Sequence, residues 1–128
     1  MFKALFGFSK GKKNIFVRRI QYVLIEQMRI DINHDTNRYF LKLYPWDEII
    51  SNYFYNKRTP EHCAIALALI YLRSLLENGG GKEHREAKLL KPNIQILIDK
   101  FKNNGQLPWE LIPRIDTELD DLSVTYKI

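Results

Sequence analysis

The sequence predicts a mainly α fold, a single-domain helical bundle around one central apolar helix at 60–77. That segment is apolar on nearly every side, and such a helix is normally surrounded by others. Elsewhere, apolar residues recur at steps of three and four, which is the period of a helix with one buried face. The 128 residues are 45% apolar, enough to bury a core without a disulfide or a metal.

The chain is expected to divide into a basic, partly mobile N-terminal segment at 1–13 and one helical domain at 14–128. A helix at 14–29 opens the domain. The apolar and polar residues that follow alternate and predict a small β-hairpin at 28–44, with continuation of the first helix as the alternative. The apolar stripe of the first helix consists of Phe16, Ile20, Val23, Leu24 and Met28.

Two further helices have recognisable starts. Pro45, followed by two acids, predicts a helix from Trp46 to about Tyr55, because proline suits the first helical position and acids suit the positive end of the dipole. A threonine cap and a proline at 59–60 predict the start of the central helix. Glycines at 79–81 are expected to end it, because glycine readily adopts the left-handed conformation at a helix C-terminus.

The remaining third of the chain predicts shorter elements. A solvated helical segment or a mobile connection at 82–88 leads to a helix at 92–102. A one-turn helix at 108–112 is expected to stop at Pro113, since proline blocks helix continuation. Alternation at 124–128 is consistent with an edge strand, and a last short helical stripe consists of Ile115, Leu119 and Leu122.

Residues that could bind a metal or act as a nucleophile do not form a recognisable site. A structural zinc site needs four ligands in closely spaced pairs, whereas His62, Cys63 and His84 are three and lack that spacing. Neighbouring residues on a helix also point in different directions. We therefore expect Cys63 to be a buried core residue, and a lone cysteine fits a reducing compartment.

Other possible catalytic motifs are incomplete as well. The run 79–82 lacks the strand, the first glycine and the hydroxyl of a phosphate loop. His34 and Asp35 lie in a predicted turn without a hydroxyl or thiol to activate, and Asp120 and Asp121 have no evident enclosing pocket. We expect no catalytic activity, no cofactor and no metal site.

Charge is unevenly distributed along the chain. The total is +5, but residues 1–30 hold +6, residues 31–91 hold +1 and residues 92–128 hold −2. The basic start could bind nucleic acid, could attach to a membrane surface with the help of the phenylalanines between 2 and 8, or could be a solubilising tail. The basic patch comprises Lys10, Lys12, Lys13, Arg18 and Arg19.

The acidic C-terminal region is a candidate docking surface for a basic protein. Complementary charge speeds association and sets specificity, and aromatic residues supply the buried anchors of an interface. Aromatic residues at 53–55 and Tyr126 are further candidate anchors. The candidate partner-binding residues are Trp109, Glu110, Asp116, Glu118, Asp120 and Asp121.

In size, lone cysteine, helical pattern and bias to Ile, Lys, Asn and Tyr, the whole chain resembles bacterial immunity proteins of contact-dependent inhibition and related polymorphic toxin systems. The resemblance is one of type, without a signature motif. It implies a cytoplasmic, non-catalytic protein that blocks a cognate toxin domain, often a nuclease, by occlusion. The charge of +5 departs from the acidic character expected of a nuclease inhibitor, so residues 110–121 would have to supply it. If the toxin is acidic instead, the basic cluster at 10–19 would dock it. The longest apolar run has ten residues, about half of what a bilayer requires.

Overall fold

The computed structural model describes the backbone of residues 2–30 and 46–128 and the side chains of residues 11–30 and 46–128. These residues form five α-helices and no strand, which confirms the predicted mainly α bundle. A π-helical segment (Tyr22–Gln27) continues the first helix, and a 3₁₀ turn (Trp109–Leu111) precedes the last. The α-helices are α1 (Phe2–Gln21), α2 (Trp46–Tyr55), α3 (Pro60–Asn78), α4 (Gly81–Asn103) and α5 (Ile112–Tyr126).

Helix α3 is the centre of the fold, as its sequence predicts. It packs against α1, α2, α4, α5 and the π-helical segment. Side chains on every side of it are buried, among them Ile65, Leu67 and Leu72. Its first turn is closed by Thr59, whose hydroxyl oxygen accepts a hydrogen bond of 3.1 Å from the backbone N–H of His62.

Helix α1 and the π-helical segment that continues it bury the stripe that the sequence predicts, since all five stripe residues from Phe16 to Met28 belong to the core. The π-helical segment ends at Gln27, and Met28 caps it. Arg29 adopts a left-handed backbone with φ of 62°, and the N–H of Ile30 donates to the oxygen of Leu24. Residues 28–30 of the predicted hairpin are therefore the end of this helix, and the rest of the hairpin lies outside the described residues. The division into a mobile segment at 1–13 and a domain at 14–128 stays a prediction.

Helix α2 packs across α1 and α3 through one apolar face. Trp46 and Ile50 are buried, and Ile49, Tyr53 and Phe54 are partly buried against the core. The rings of Phe16 and Phe54 meet edge to face with 5.4 Å between their centroids, which is a favoured aromatic geometry. The sequence predicts this helix and its buried face.

The expectation that a left-handed glycine ends α3 is wrong. Gly79 is extended, with φ of −96° and ψ of 173°. Glycine is required there because a Cβ atom would lie 2.6 Å from the carbonyl oxygen of Leu75 and would overlap Glu83. Close approach of α3 and α4, rather than backbone handedness, therefore selects the residue. The left-handed glycine is Gly105, which follows α4.

Helix α4 is one continuous helix, so the helical alternative predicted for 82–88 is correct, while the predicted break before Pro92 is wrong. It includes 82–88 and passes through Pro92 without ending. Pro92 cannot donate to the oxygen of Lys88, but both residues are exposed, so water can satisfy that oxygen. Its start is fixed by Glu83, whose carboxylate accepts a 2.9 Å bond from the Gly80 N–H.

Pro113 begins α5 instead of blocking a helix. It occupies the first turn, where its missing N–H has no helical acceptor to lose. The predicted one-turn helix is present as the 3₁₀ turn, and the predicted stripe from Ile115 to Leu122 is buried. The predicted edge strand at 124–128 is wrong, because Val124 and Tyr126 lie within α5.

Replacing a side chain at the centre of α3 should strongly destabilise the protein. For Leu72→Ala we expect a loss of about 2–5 kcal/mol in the free energy of unfolding, because the leucine is fully buried and leaves a cavity. Leu89→Ala is the matched control, since Leu89 is 75% exposed and should cost less than about 0.5 kcal/mol. Urea unfolding measures both, and equal effects would contradict the central position of α3.

Two glycine substitutions should change stability in opposite directions. Gly79→Ala should destabilise the protein by more than about 1 kcal/mol, because its Cβ would overlap α4 and the Leu75 carbonyl. Gly11→Ala should stabilise it by about 0.5–1 kcal/mol, since Gly11 is inside α1 and no atom would touch the new methyl group. Thermal unfolding of both variants checks the pair, and a neutral Gly79→Ala would contradict the close approach.

Candidate functional site

Trp109 is the most exposed large apolar side chain among the described residues. It is 81% exposed, whereas Trp46, which precedes a helix in a similar sequence context, is 4% exposed. The 3₁₀ turn between Pro108 and α5 holds Trp109 outside the core, while Leu107 just before it is buried. A large aromatic ring held in water on an ordered turn is the kind of residue that anchors protein interfaces.

The predicted acidic residues of α5 divide into two groups. Asp116 accepts a 3.0 Å salt bridge from Lys102 of α4, and Glu118 accepts one of 3.1 Å from Arg73 of α3. These two carboxylates attach α5 to the bundle. Asp120 and Asp121 are exposed, and so is Glu110 in the 3₁₀ turn. We call Glu110, Asp120 and Asp121 the acidic face, because their charges point to solvent.

The hydrogen bond from Lys102 to Asp116 raises the pKa of the lysine. Both side chains are about one-third exposed, so solvent screens the pair and its net contribution to stability is small. The salt bridge matters more for binding than for stability, because it makes the negative charge of Asp116 unavailable to a partner. The same holds for Glu118, which shares Arg73 with Glu77.

The other predicted aromatic anchors have different environments. Tyr53 and Phe54 are partly buried against the core, while Tyr55 is 67% exposed. The ammonium group of Lys13 lies 5.3 Å from the centre of the Tyr55 ring. Tyr126 packs against the core and meets the ring of His84 edge to face at 6.4 Å. None of the four therefore matches Trp109 as an unused anchor.

The predicted basic patch is divided in a similar way. The amine of Lys13 donates to the Ser51 hydroxyl at 2.6 Å, and Arg19 forms a salt bridge with Glu61, so both join α1 to other helices. Lys12 and Arg18 are exposed. The side chain of Lys10 lies outside the described part of the chain. Arg18 also lines a groove of about 490 Å³ between α1 and the end of α4.

A polar cavity of about 570 Å³ lies between α2, α3 and α5. Its polar residues come from α2, the turn after it, α3 and α5, which are brought together by the packing of α2 and α5 on α3. Part of its lining is apolar and includes Leu69, Leu111 and Ile115. The polar lining consists of Asn52, Tyr53, Asn56, Arg58, His62, Arg114 and Glu118.

The positive groups of the cavity are Arg58 and Arg114. No acidic side chain among the described residues forms a salt bridge with either of them, whereas Glu118 is paired with Arg73. Burial raises the pKa of Tyr53 against an opposing effect of the Arg58 charge, and burial together with the same charge lowers the pKa of His62. The arrangement can bind an anionic group.

His62 connects the cavity with the core. Its side chain lines the cavity, is 7% exposed, and its ring meets that of Tyr53 edge to face at 5.0 Å. Burial lowers its pKa, and the charge of Arg58 lowers it further against an opposing effect of Glu110. Its Nδ1 atom is buried without a hydrogen-bond partner among the described residues. The ring is therefore neutral near pH 7 and has one unused polar atom.

The sequence does not reveal this cavity. Arg58 belongs to a turn, His62 to the start of an apolar helix and Arg114 to the start of α5. Their separation along the chain has no motif spacing, and only the packing of α2 and α5 on α3 brings them together. The nearest signal in the sequence is the histidine that follows the threonine cap of α3. A histidine at that position indicates a core residue as readily as a binding site.

The other residues that the sequence suggests as possible metal ligands or nucleophiles belong to the fold wherever the structure describes them. Cys63 is buried and unpaired, and burial raises the pKa of its thiol to about 12, so it is a poor nucleophile. A nitrogen of His84 lies 3.0 Å from the Leu76 oxygen. In the described parts of the chain, no three His, Cys, Asp or Glu residues are grouped as metal ligands would be. Residues 79–82 join α3 to α4, and His34 and Asp35 lie outside the described residues.

Comparison with known proteins finds no matching family model, no matching curated protein and no matching solved structure. Among the helices of residues 2–30 and 46–128, none has the length and apolarity needed to span a bilayer. The features that bear on function are therefore the exposed surface and the cavity.

The protein should lose stability on acidification through the titration of His62. The pKa of this histidine is lower in the folded protein than its ordinary value of 6.5, so the unfolded chain binds the proton first. The free energy of unfolding should therefore fall as the pH drops below 6.5, where the folded protein must either exclude the proton or accept a buried charge.

The measurement is urea unfolding of the unmodified protein and of His62→Phe between about pH 7.5 and pH 5.5. Phenylalanine keeps the ring against Tyr53 and does not titrate, so the slope of stability against pH should be smaller in the variant. Identical slopes in the two proteins would contradict the lowered pKa.

Proposed function

We propose that this protein is a non-catalytic protein-binding inhibitor that docks a basic partner through Trp109 and the acidic face. In this proposal it acts as an immunity-type protein of the bacterial cytoplasm and neutralises a cognate toxin domain, such as a nuclease, by covering its active site. The supporting observation is the 81% exposure of Trp109 on an ordered turn. Residues of this type supply a large share of the binding energy in protein interfaces.

The charge of the surface supports a basic partner. Asp120 and Asp121 lie on the outer side of α5, together with Val124, which is 78% exposed. Carboxylates at the rim of an interface attract a positively charged partner during diffusion and discriminate against acidic proteins. An active-site cleft that binds nucleic acid is such a partner, since it is lined with basic groups.

The rigidity of α5 also supports occlusion. Three buried side chains attach the helix to the core, and salt bridges from Lys102 and Arg73 hold its two flanks. A surface that is already ordered loses little conformational entropy on binding, which favours tight association. Steric inhibition needs no more than such a surface held against an active site.

Nucleic-acid binding and peripheral membrane attachment, the alternative functions, depend on the basic patch. Lys13 and Arg19 have partners within the fold, which leaves fewer charges for phosphates. Arg18 is exposed and lines the same groove as Tyr22, so a weak nucleic-acid contact is the more specific of these alternatives. The membrane alternative needs the apolar side chains between 2 and 8, which lie outside the described side chains.

The test is co-expression and co-purification with the products of the neighbouring genes. The tagged protein should recover one specific partner, and if that partner contains a toxic domain, co-expression should protect the cells. Trp109→Ala should weaken recovery at least about tenfold without unfolding the protein, because the side chain makes little contact with the core. Asp120→Lys combined with Asp121→Lys should slow association.

The matched control is Tyr55→Ala, which removes another exposed aromatic ring far along the chain from the acidic face. It should leave recovery unchanged. Absence of any specific partner would overturn the proposal, and so would a partner retained equally by Trp109→Ala. Salt-sensitive binding to nucleic acid that is lost in Lys12→Glu combined with Arg18→Glu would favour the alternative.

A further inference from the structure

We propose that the cavity between α2, α3 and α5 binds a small organic anion, that is, a carboxylate or phosphate group attached to a compact apolar body. This inference does not depend on the proposed function. It rests on the shape of the cavity, on two arginines that have no salt bridge in the described parts of the chain, and on the buried, neutral ring of His62 in the lining.

The shape suits a small molecule. A volume of about 570 Å³ is within the range of about 300–1,000 Å³ that is usual for ligand pockets. The apolar part of the lining comprises Ala66, Leu69, Leu111 and Ile115, and it can cover the apolar part of a ligand. The lining also contains polar groups, and a mixed lining of this kind can fix the orientation of a bound molecule. A folded macromolecule would not enter a space of this size, although one of its side chains could.

The charges select an anion. Arg58 and Arg114 both line the cavity and have no salt bridge to an acidic residue in the described parts of the chain. Glu118, which also lines it, is bound to Arg73 at 3.1 Å. Two guanidinium groups offer planar sets of N–H donors, which match the oxygens of a carboxylate or a phosphate.

The neutral groups complete the cavity. His62 has a lowered pKa because of burial and the charge of Arg58, so its ring contributes a hydrogen bond without a charge. Its Nδ1 atom is enclosed by protein and has no hydrogen-bond partner among the described residues, so either tautomer of the ring is possible without the loss of an internal bond at Nδ1. Asn52 and Asn56 are at the edge of the cavity and provide further amide groups. An isolated cation would be repelled by the two arginines.

The experiment is a titration of the whole protein with four probes at constant ionic strength, followed by amide NMR spectra. Phenyl phosphate and benzoate have an anionic group on a ring, inorganic phosphate has the anion alone, and benzyl alcohol has the ring alone. We expect saturable binding of phenyl phosphate or benzoate with a Kd below about 1 mM. The shifted signals should belong to residues around His62, Tyr53 and Arg114. Inorganic phosphate should bind more weakly and benzyl alcohol should not bind.

Variants then test the residues. Arg58→Gln and Arg114→Gln should each weaken binding of the anionic ring probes about tenfold, the size of one lost charge-assisted hydrogen bond. Arg58→Lys should retain part of the affinity, because it keeps the charge. The matched control is Arg85→Gln, which removes an exposed arginine of α4 that does not line the cavity. All of these side chains are exposed or partly so, and the dispersion of the spectra verifies folding.

Three results would overturn the inference. The first is the absence of saturable binding of both anionic ring probes. The second is equal weakening by Arg85→Gln, which would indicate general attraction by a basic protein. The third is binding of benzyl alcohol as tight as that of phenyl phosphate, which would remove the requirement for an anion.

Discussion

The whole structure depends on the enclosure of α3. A helix that is apolar on every side is stable in water only when neighbours cover each side, because exposed apolar surface costs about 25 cal/mol per Å². Each neighbour therefore needs one apolar face, and α1, α2, α4 and α5 each present one to α3 or to the core around it. Their other faces remain polar, so functional groups can lie only on those outer faces or in the gaps where two neighbours diverge. The cavity between α2 and α5 is such a gap.

The start of α3 shows how polar groups are used to fix this enclosure. Glu61 is 5% exposed, and its carboxylate accepts hydrogen bonds from Arg19 of α1 and, at 3.1 Å, from Gln106 after α4. A buried carboxylate without partners would be strongly destabilising, so these contacts are needed for the charge to be tolerated. Thr59 accepts from the N–H of His62 and donates to the Gln106 oxygen. The charge of Arg19 therefore serves the fold, which a count of basic residues does not reveal.

The features that could be predicted from the sequence are those that depend on the local period of apolar residues. The stripe from Phe16 to Met28, the enclosed helix after Thr59 and the face of α5 are all present as predicted. The errors lie where proline and glycine act in a tertiary context. Pro92 is tolerated inside α4, where it and Lys88, whose carbonyl oxygen loses its helical donor, are both exposed residues; Pro113 lies in the first turn of α5, and Gly79 is selected by contact with α4. The acidic residues of α5 were recognisable, but their division into paired and unpaired groups depends on Lys102 and Arg73 in other helices.

The same division explains why the net charge is a poor guide to the partner. Lys13, Arg19, Lys102 and Arg73 are engaged within the fold, as are Asp116 and Glu118. The charges available to other molecules are those without such partners, and they differ in sign between neighbouring sites. Arg58 and Arg114 line the cavity, whereas Glu110, Asp120 and Asp121 face solvent. Leu111 and Arg114 line the cavity only two and five positions after Trp109, on the same ordered segment. The exposed anchor and one wall of the cavity are therefore built from a single short stretch of chain, which the packing of α5 on α3 holds in place.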